Sequence, residues 1–160
     1  LDLNMPGNDG LTGLTLIRSQ FPDVLVAIVS GDESPSMVRK AIDFGACGYI
    51  PKSTPLPMIA AAVQQLLDGE QWLAEELIAQ VQKIEGSEEQ EFALKLAQLT
   101  PHQLKVLQLM ADGLLNKQIA YELGVSESTI KQHVSAVLHK LGFNNRTQAG
   151  VLFKQMLKVD

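Results

Sequence analysis

The sequence is poor in cysteine and in long apolar segments. Cys47 is its one cysteine among 160 residues, so no disulfide can form within the chain, which is typical of proteins in a reducing cytoplasm. No apolar run approaches the roughly 20 residues that a membrane-spanning helix needs. These features disfavour a disulfide-stapled secreted domain and a membrane partner, and we expect a cytoplasmic protein.

The chemical signatures of enzymes are also missing from the sequence. We find no nucleophile–base pair, no glycine-rich phosphate loop and no Cys/His spacing that suits a metal. Cys47 lies among small residues and has no basic neighbour in sequence that would favour a thiolate. An α/β enzyme is therefore a disfavoured alternative, and we expect no required cofactor.

Charge is divided unevenly along the chain. The whole sequence has a net charge of −5, yet residues 99–160 hold seven Lys and Arg against four Asp and Glu, a net charge of +3. Residues 1–98 therefore carry −8. A basic segment joined to an acidic one indicates a division of roles, in which only the basic part suits a DNA phosphate backbone.

Residues 1–69 alternate short apolar runs with helical patterns. The run at 24–29 predicts a strand buried on both faces, and the run at 48–51 predicts a second strand end. Helices are predicted after Gly10, from Ser34-Pro35 and from Thr54-Pro55. This order predicts an α/β layer with right-handed crossovers.

Residues 70–98 are rich in glutamate and are interrupted by Gly86-Ser87. We interpret this segment as an acidic linker that is helical on both sides of the break. A regulatory contact is one use for the acids, and a solvated helix face is the simpler explanation.

Residues 99–160 have the pattern of four helices. A Thr-Pro pair begins the first helix, and Asn116 is predicted to cap the second. Gly124 suits the left-handed conformation of a tight turn, in which Val125 is predicted to pack into the core. Ser126 then caps the third helix. A short helix, a glycine turn and a capped helix at this spacing predict a helix-turn-helix.

The third helix, at 126–141, has two chemically different stripes. One is aliphatic and suits a core, and the other offers lysine, glutamine and serine side chains. Lysine can donate to guanine O6 and N7, and glutamine can pair bidentately with adenine. A solvated amphipathic helix is the alternative, but the preceding helix and turn favour a helix that enters the major groove.

Several short motifs in this part resemble the LuxR-type helix-turn-helix, namely Leu99-Thr100-Pro101, 113–120, 125–134, Lys140-Leu141-Gly142 and 145–149. The resemblance implies that base edges are contacted by Lys131, Gln132 and Ser135. It implies phosphate contacts from Asn116, Lys117, Ser128, Thr129, His133 and Arg146. The alternatives are that His133 is a surface polar residue and that Arg146 caps the recognition helix.

The last helix, from about 146 to 158, presents Val151 away from its apolar side. In the resembled family this helix pairs two DNA-binding domains across a two-fold axis, so Val151 is the predicted dimer contact. One such domain contacts too little DNA for high specificity. We therefore expect a homodimer on double-stranded DNA, with half-sites about one turn apart.

The first residues resemble the third strand of a response-regulator receiver domain, through Asp2-Leu3-Asn4-Met5-Pro6-Gly7 with Gly10, and through Ser30 and Lys52. The resemblance implies that Asp2 is the phosphoacceptor. Ser30 would bond the new phosphoryl group, Lys52 would neutralise its charge, and Tyr49 would move with Ser30. Together the two halves resemble NarL/FixJ response regulators, which implies a transcription regulator with a sensor histidine kinase as a further partner.

A receiver has five strands, whereas the resemblance begins inside the third. The acidic pair that helps to hold Mg²⁺ is missing, which leaves Asp2 and the Asn4 carbonyl as ligands of an incomplete site. We expect a truncated, phosphorylation-deficient receiver remnant with Mg²⁺ bound only if the receiver is functional. Self-association is expected through the sheet edge at 1–4 or the helix at 55–67. The alternative function is an interaction module that titrates a kinase or an intact regulator.

Overall fold

A computed structural model describes residues 1–6, 8–84 and 88–158. The chain forms two units, the first within Leu1–Glu91 and the second within Phe92–Lys158. Within these described ranges, no helix is both long enough and apolar enough to span a bilayer.

The first unit is an α/β layer. Its short strands β1 (Asn4–Met5) and β2 (Asn8–Asp9) form an antiparallel pair. Its main sheet is parallel, in the order β3 (Ala27–Ser30), β4 (Gly48–Pro51) and β5 (Trp72–Leu73). The helices are α1 (Thr12–Gln20), α2 (Pro35–Asp43), α3 (Leu56–Leu67) and α4 (Glu75–Gln82). The predicted α/β class is confirmed.

Helix starts in this unit follow local sequence. Ser34 and Pro55 are extended residues immediately before α2 and α3, and a proline lies in the first turn of each helix. Proline fits that position because its fixed φ suits a helix and its missing N–H has no partner there in any case. The predicted start of α2 at Ser34-Pro35 is confirmed, and α3 begins one residue later than the predicted Thr54-Pro55 start.

The strand predicted at 24–29 is shorter than expected. Strand β3 begins only at Ala27, and Val24 and Leu25 are 48% and 52% exposed. The Arg18 guanidinium accounts for the difference, because it donates to the carbonyls of Pro22 and Val24 and so holds them outside the sheet.

The prediction of one continuous strand at residues 1–4 is also wrong. Leu1 alone lies along β3: its amino group donates to the Ala27 carbonyl at 2.7 Å, and its carbonyl accepts from the Val29 N–H at 2.8 Å. The chain then turns, because the Asp2 carboxylate accepts from the Asn4 N–H. From Asn4 onward it pairs with β2 instead of the main sheet.

The segment predicted as a linker, 70–98, does not form a separate element. Trp72 and Leu73 pair with β4, and α4 packs on α2 and buries Leu77 and Val81. Helix α5 (Glu88–Ala97) buries Phe92, Ala93 and Leu96. The glutamates mask this pattern in the sequence. The segment is helical on both sides as predicted, while the break at 86–87 lies outside the described residues.

The second unit contains the four predicted helices, which are α6 (Pro101–Ala111), α7 (Asn116–Leu123), α8 (Glu127–Leu141) and α9 (Arg146–Leu157). Helix α6 packs against both α8 and α9, and α7 packs on α8. A core cluster joins α6, α7 and α8 through Val106, Leu109, Met110, Ile119, Ala120 and Ile130.

Two predictions about the turns of this unit need correction. Asn116 does not cap α7, because it is the first helical residue and Leu115 precedes it, with the Leu115 N–H bonded to the Gln118 side chain. Val125 is 37% exposed, because the core beneath the turn is already filled from α7 and α8. Gly124 does adopt the predicted left-handed conformation, with φ +65°.

Candidate nucleic-acid interface and phosphoacceptor site

Helix α8 separates aliphatic from polar side chains. Ile130, Val137 and Leu141 are buried, while Lys131, Gln132 and Ser135 are exposed. The helix is thus held to the unit by its apolar side and has three hydrogen-bonding side chains directed to solvent. This is the placement predicted from the sequence, and contact with base edges stays a prediction.

The Lys131 ammonium is held only weakly within the chain. It lies 3.6 Å from the Glu127 carboxylate one turn earlier, and both side chains are largely exposed. Such a pair contributes about 0.3–0.5 kcal/mol. The ammonium can therefore exchange this partner for a DNA acceptor at small cost.

A cluster of hydroxyl groups marks the start of α8. The Ser126 hydroxyl accepts from the Thr129 N–H at 3.1 Å and lies 3.0 and 2.8 Å from the hydroxyls of Ser128 and Thr129. Helix N-termini attract anions, because their free N–H groups and the helix dipole present positive charge. Ser128 is exposed and Thr129 is half-buried.

Arg146 and Asn116, both predicted phosphate contacts, bond to each other. The guanidinium donates to the Asn116 side-chain oxygen at 2.8 Å and to the Leu114 carbonyl. Arg146 therefore links the start of α9 to the start of α7. It does not cap α8, whose C-terminal cap is Gly142. Lys117, next to Asn116, is exposed.

The other two predicted residues of this unit are His133 and Val151. His133 is half-buried on α8, and its ring stacks on that of His102 with centroids 6.3 Å apart. Val151 is 60% exposed, whereas Ala149, Phe153 and Met156 on the same helix are buried. The exposure predicted for Val151 is confirmed, and its role in a dimer stays a prediction.

The structure brings Asp2 and Lys52 together across the first unit. The Lys52 ammonium donates to one Asp2 carboxylate oxygen at 2.7 Å, and the Asn4 N–H donates to the other at 3.0 Å. These bonds, led by the one from Lys52, lower the pKa of Asp2. Asp2 is therefore ionised at neutral pH with both oxygens engaged, which is the charge state that a nucleophilic carboxylate needs.

Ser30 and Tyr49 are linked through one backbone segment. Both are buried; the Asp32 N–H donates to the Ser30 hydroxyl at 3.2 Å, and the Tyr49 hydroxyl donates to the Asp32 carbonyl at 2.6 Å. Burial raises the pKa of Tyr49, so its hydroxyl remains a donor at neutral pH. The Lys52 N–H donates to the Ser30 carbonyl, which places Ser30 beside the residue that holds Asp2.

Comparison with known proteins identifies both units. Residues 1–64 match the response regulator receiver domain, and residues 97–153 match the bacterial regulatory proteins of the luxR family. The chain is 46% identical to the glycerol metabolism activator of Pseudomonas putida, over 93% of this chain and 69% of that protein. It belongs to the LuxR-type response regulators. These are DNA-binding transcription regulators, and the family is not one of enzymes.

Other matches of this response regulator also extend over both units. It is 34% identical to the nitrate/nitrite response regulator NarL of Escherichia coli strain K12, over 97% of this chain and 72% of that protein. A solved structure of two RcsB dimers bound to two parallel DNAs matches with a TM-score of 0.50 at 25% identity, covering 98% of this chain and 73% of that one.

A magnesium site was predicted at Asp2 and Asn4 of the response regulator. The prediction was of an incomplete site, and the described residues contain no group of three His, Cys, Asp or Glu side chains that could hold a metal. The Asp2 carboxylate is instead paired with a lysine. Mg²⁺ requires near-octahedral oxygen coordination, which one carboxylate and one carbonyl supply poorly.

Sequence reasoning missed two residues of the LuxR-type domain. His102, at the start of α6, is the ring that stacks on His133. Lys140, on α8, donates to the Gln98 carbonyl at 3.0 Å and to the Gln103 side chain at 2.7 Å. Both contacts join residues far apart in the sequence, so no local pattern could have indicated them.

Proposed function

We propose that this response regulator binds double-stranded DNA as a dimer and reads base edges in the major groove with Lys131, Gln132 and Ser135. The observation that supports this proposal is the exposed polar face of α8, opposite its buried aliphatic side. A lysine and a glutamine suit guanine and adenine acceptors, and serine accepts or donates to either base. The site of action would be the cytoplasm.

We further propose that the neighbouring polar groups position the protein on the DNA backbone. The hydroxyl cluster at the start of α8 favours this role for Ser128 and Thr129, and the exposure of Lys117 suits a lysine–phosphate contact. Asn116 and Arg146 would contribute through the polar atoms that their mutual bond leaves available. His133 would add an imidazole on the flank of the helix.

The deciding experiment begins with selection of bound sequences from a random duplex pool, which supplies an operator. The double variant Lys131→Ala, Gln132→Ala should weaken binding to that operator by about 1–3 kcal/mol for each base-reading side chain that is truncated. Binding to unrelated duplexes should fall far less, because there the variant loses one cation only.

Lys154→Ala is the matched control for this experiment. Lys154 is exposed on α9 and paired with Asp112, so its removal deletes the same charge away from the proposed face. Equal losses on operator and unrelated DNA in the double variant would show that α8 does not read bases, even if DNA binding itself is retained.

The proposed dimer has two candidate surfaces. Val151 is exposed on α9, and α3 exposes an apolar stripe formed by Leu56, Ala60, Val63 and Leu67. These four residues follow the i, i+4, i+7, i+11 spacing of a helix seam that packs on another helix. The same stripe supports the alternative in which the first unit associates with an intact regulator or a kinase.

For the receiver we propose that Asp2 is the phosphoacceptor and a sensor kinase the donor. We also propose that this chain of 160 residues is phosphorylated poorly on Asp2, because its described residues offer few Mg²⁺ ligands. Incubation with radiolabelled acetyl phosphate and Mg²⁺ tests both statements. Labelling that disappears in Asp2→Asn would identify the acceptor, whereas efficient labelling of the unchanged chain would contradict the deficiency.

A further inference from the structure

Two histidines from different helices meet on the flank of α8. The rings of His102, in the first turn of α6, and His133, in the middle of α8, have centroids 6.3 Å apart and planes inclined by 20°. His102 is exposed and His133 is half-buried, so the pair is open to solvent. Across the described part of the chain, neither ring has a hydrogen-bond or ion-pair partner. The ring nitrogens are therefore available to an external acceptor.

The position of this pair points to its ligand. His133 directly follows Gln132 and lies two residues from both Lys131 and Ser135, which face solvent on the same helix. When a recognition helix lies in the major groove, a residue on its flank is directed to the sugar–phosphate wall of that groove. We infer that His102 and His133 form one paired imidazole site for a DNA backbone phosphate. This inference rests on the proposed function.

The stacked geometry predicts that the site takes up protons when it binds. A protonated imidazole donates from both ring nitrogens, and two positive charges at this separation repel one another. A phosphate anion that contacts both rings offsets the repulsion and accepts their N–H groups in charge-assisted hydrogen bonds. Protonation of the pair and phosphate binding therefore favour each other.

Charged groups near the pair are mostly engaged elsewhere. On α8, Glu127 pairs with Lys131, and Lys140 bonds to Gln98 and Gln103. On α6, Lys105 bonds to Gln108. On α9, Arg146 bonds to Leu114 and Asn116, and Lys154 pairs with Asp112. Helix α7 carries Lys117 and Glu122. Residues 99–160 carry a net charge of +3, which favours an anionic ligand.

The test measures how strongly salt weakens the binding of the full chain to a duplex of about 30 base pairs of unrelated sequence, at about pH 6 and about pH 8. In the unchanged protein, the slope of log K against log salt should be steeper at the lower pH. The expected increase is about 0.9 for each additional phosphate that a protonated ring neutralises. His102→Gln and His133→Gln should each reduce this difference, and the double variant should remove it.

His139→Gln is the matched control, because it deletes an exposed imidazole from the same helix without touching the stacked pair. It should retain the pH-dependent slope. An undiminished slope difference in His102→Gln, or a slope difference that disappears in His139→Gln, would overturn the inference. Failure of the unchanged protein to bind DNA at either pH would instead contradict the proposed function. Thermal unfolding of each variant separates a folding defect from the removal of a phosphate-binding ring.

Discussion

At the residue scale, the charge of Asp2 follows from two hydrogen bonds. The Lys52 ammonium and the Asn4 N–H stabilise the carboxylate and hold its pKa below the ordinary value. An acid whose pKa is lower in the folded state stabilises the fold above its unfolded-state pKa. That stabilisation is lost as the pH falls from there to the folded pKa.

We therefore predict that Lys52→Met raises the pKa of Asp2 towards its ordinary value. Asp2→Asn should destabilise the chain at neutral pH but not in acid well below the pKa of Asp2 in the folded protein. Carboxyl carbon chemical shifts measured against pH check the first statement, and urea unfolding at several pH values checks the second. Lys40→Met, which removes a lysine of α2 instead, should leave the Asp2 titration unchanged. An unchanged Asp2 midpoint in Lys52→Met would contradict the assignment.

Ser126 provides a second prediction at this scale. Its hydroxyl accepts from the Thr129 N–H and contacts the hydroxyls of Ser128 and Thr129. Ser126→Ala should cost about 1 kcal/mol of the free energy of unfolding, as N-cap losses do. Ser126→Asn, which restores a capping acceptor, should recover most of this loss. Equal stability of the alanine variant and the unchanged protein would show that the cap contributes nothing.

Individual site residues differ in how far the sequence revealed them. Lys131 and Gln132 could be placed on an exposed helix face because helical periodicity is local. The pairing of Arg146 with Asn116 could not, because it depends on how α9 meets α7 in space. The same holds for His102, whose neighbour belongs to a different helix.

At the scale of elements, α6 and α9 approach each other closely at Gly150. A Cβ atom at this position would lie 3.1 Å from the Ala111 Cα and 3.5 Å from the Ala111 nitrogen. Both are backbone atoms, so α6 and α9 would have to separate to make room. The absence of a side chain at Gly150 therefore permits the packing of these two helices.

We predict that Gly150→Ala destabilises the chain by about 1–3 kcal/mol, even though alanine favours a helix by about 1 kcal/mol over glycine. Gln155→Ala, an exposed position on the same helix, should be neutral or slightly stabilising. Chemical unfolding of both variants supplies the comparison. A stabilised Gly150→Ala variant would mean that the helices can separate without loss.

Elements were predicted best where their limits depend on neighbouring residues. The Ser34-Pro35 start and the Gly124 turn need only local backbone preferences. Strand β3 begins late where Arg18 donates to carbonyls of the loop that follows α1, and β5 has only two residues, too few for a periodic signal. The first case depends on one side-chain bond and the second on pairing with the distant strand β4, and hydrophobic periodicity reveals neither.

At the scale of the whole molecule, the first unit exposes large apolar side chains along one face of α3. On α3, Leu56 is 81% exposed and Leu67 is 68% exposed, and Val63 lies on the same stripe. Burial of such side chains between two copies is worth about 25 cal/mol for each Å² of apolar surface removed from water. We therefore expect self-association of the first unit to use this stripe.

We predict that the chain is a dimer at micromolar concentration and that the double variant Val63→Glu, Leu67→Glu is a monomer. Size-exclusion chromatography with light scattering gives the masses. Leu25→Glu, which adds a charge at an exposed apolar position away from α3, should remain a dimer. A monomeric unchanged chain would contradict the prediction, as would a double variant that still dimerises.

The bond network of Arg146 has a consequence for operator architecture. The guanidinium bonds to Leu114 and Asn116 and so ties the first turn of α9 to the start of α7. Inserting one base pair between the two halves of a binding sequence rotates the second half by about 35° around the duplex. In a dimer joined through α9, the tie between α9 and α7 limits how far the DNA-binding helices can follow that rotation. Such a dimer should bind half-sites at one spacing and bind weakly when the spacing is one base pair longer or shorter.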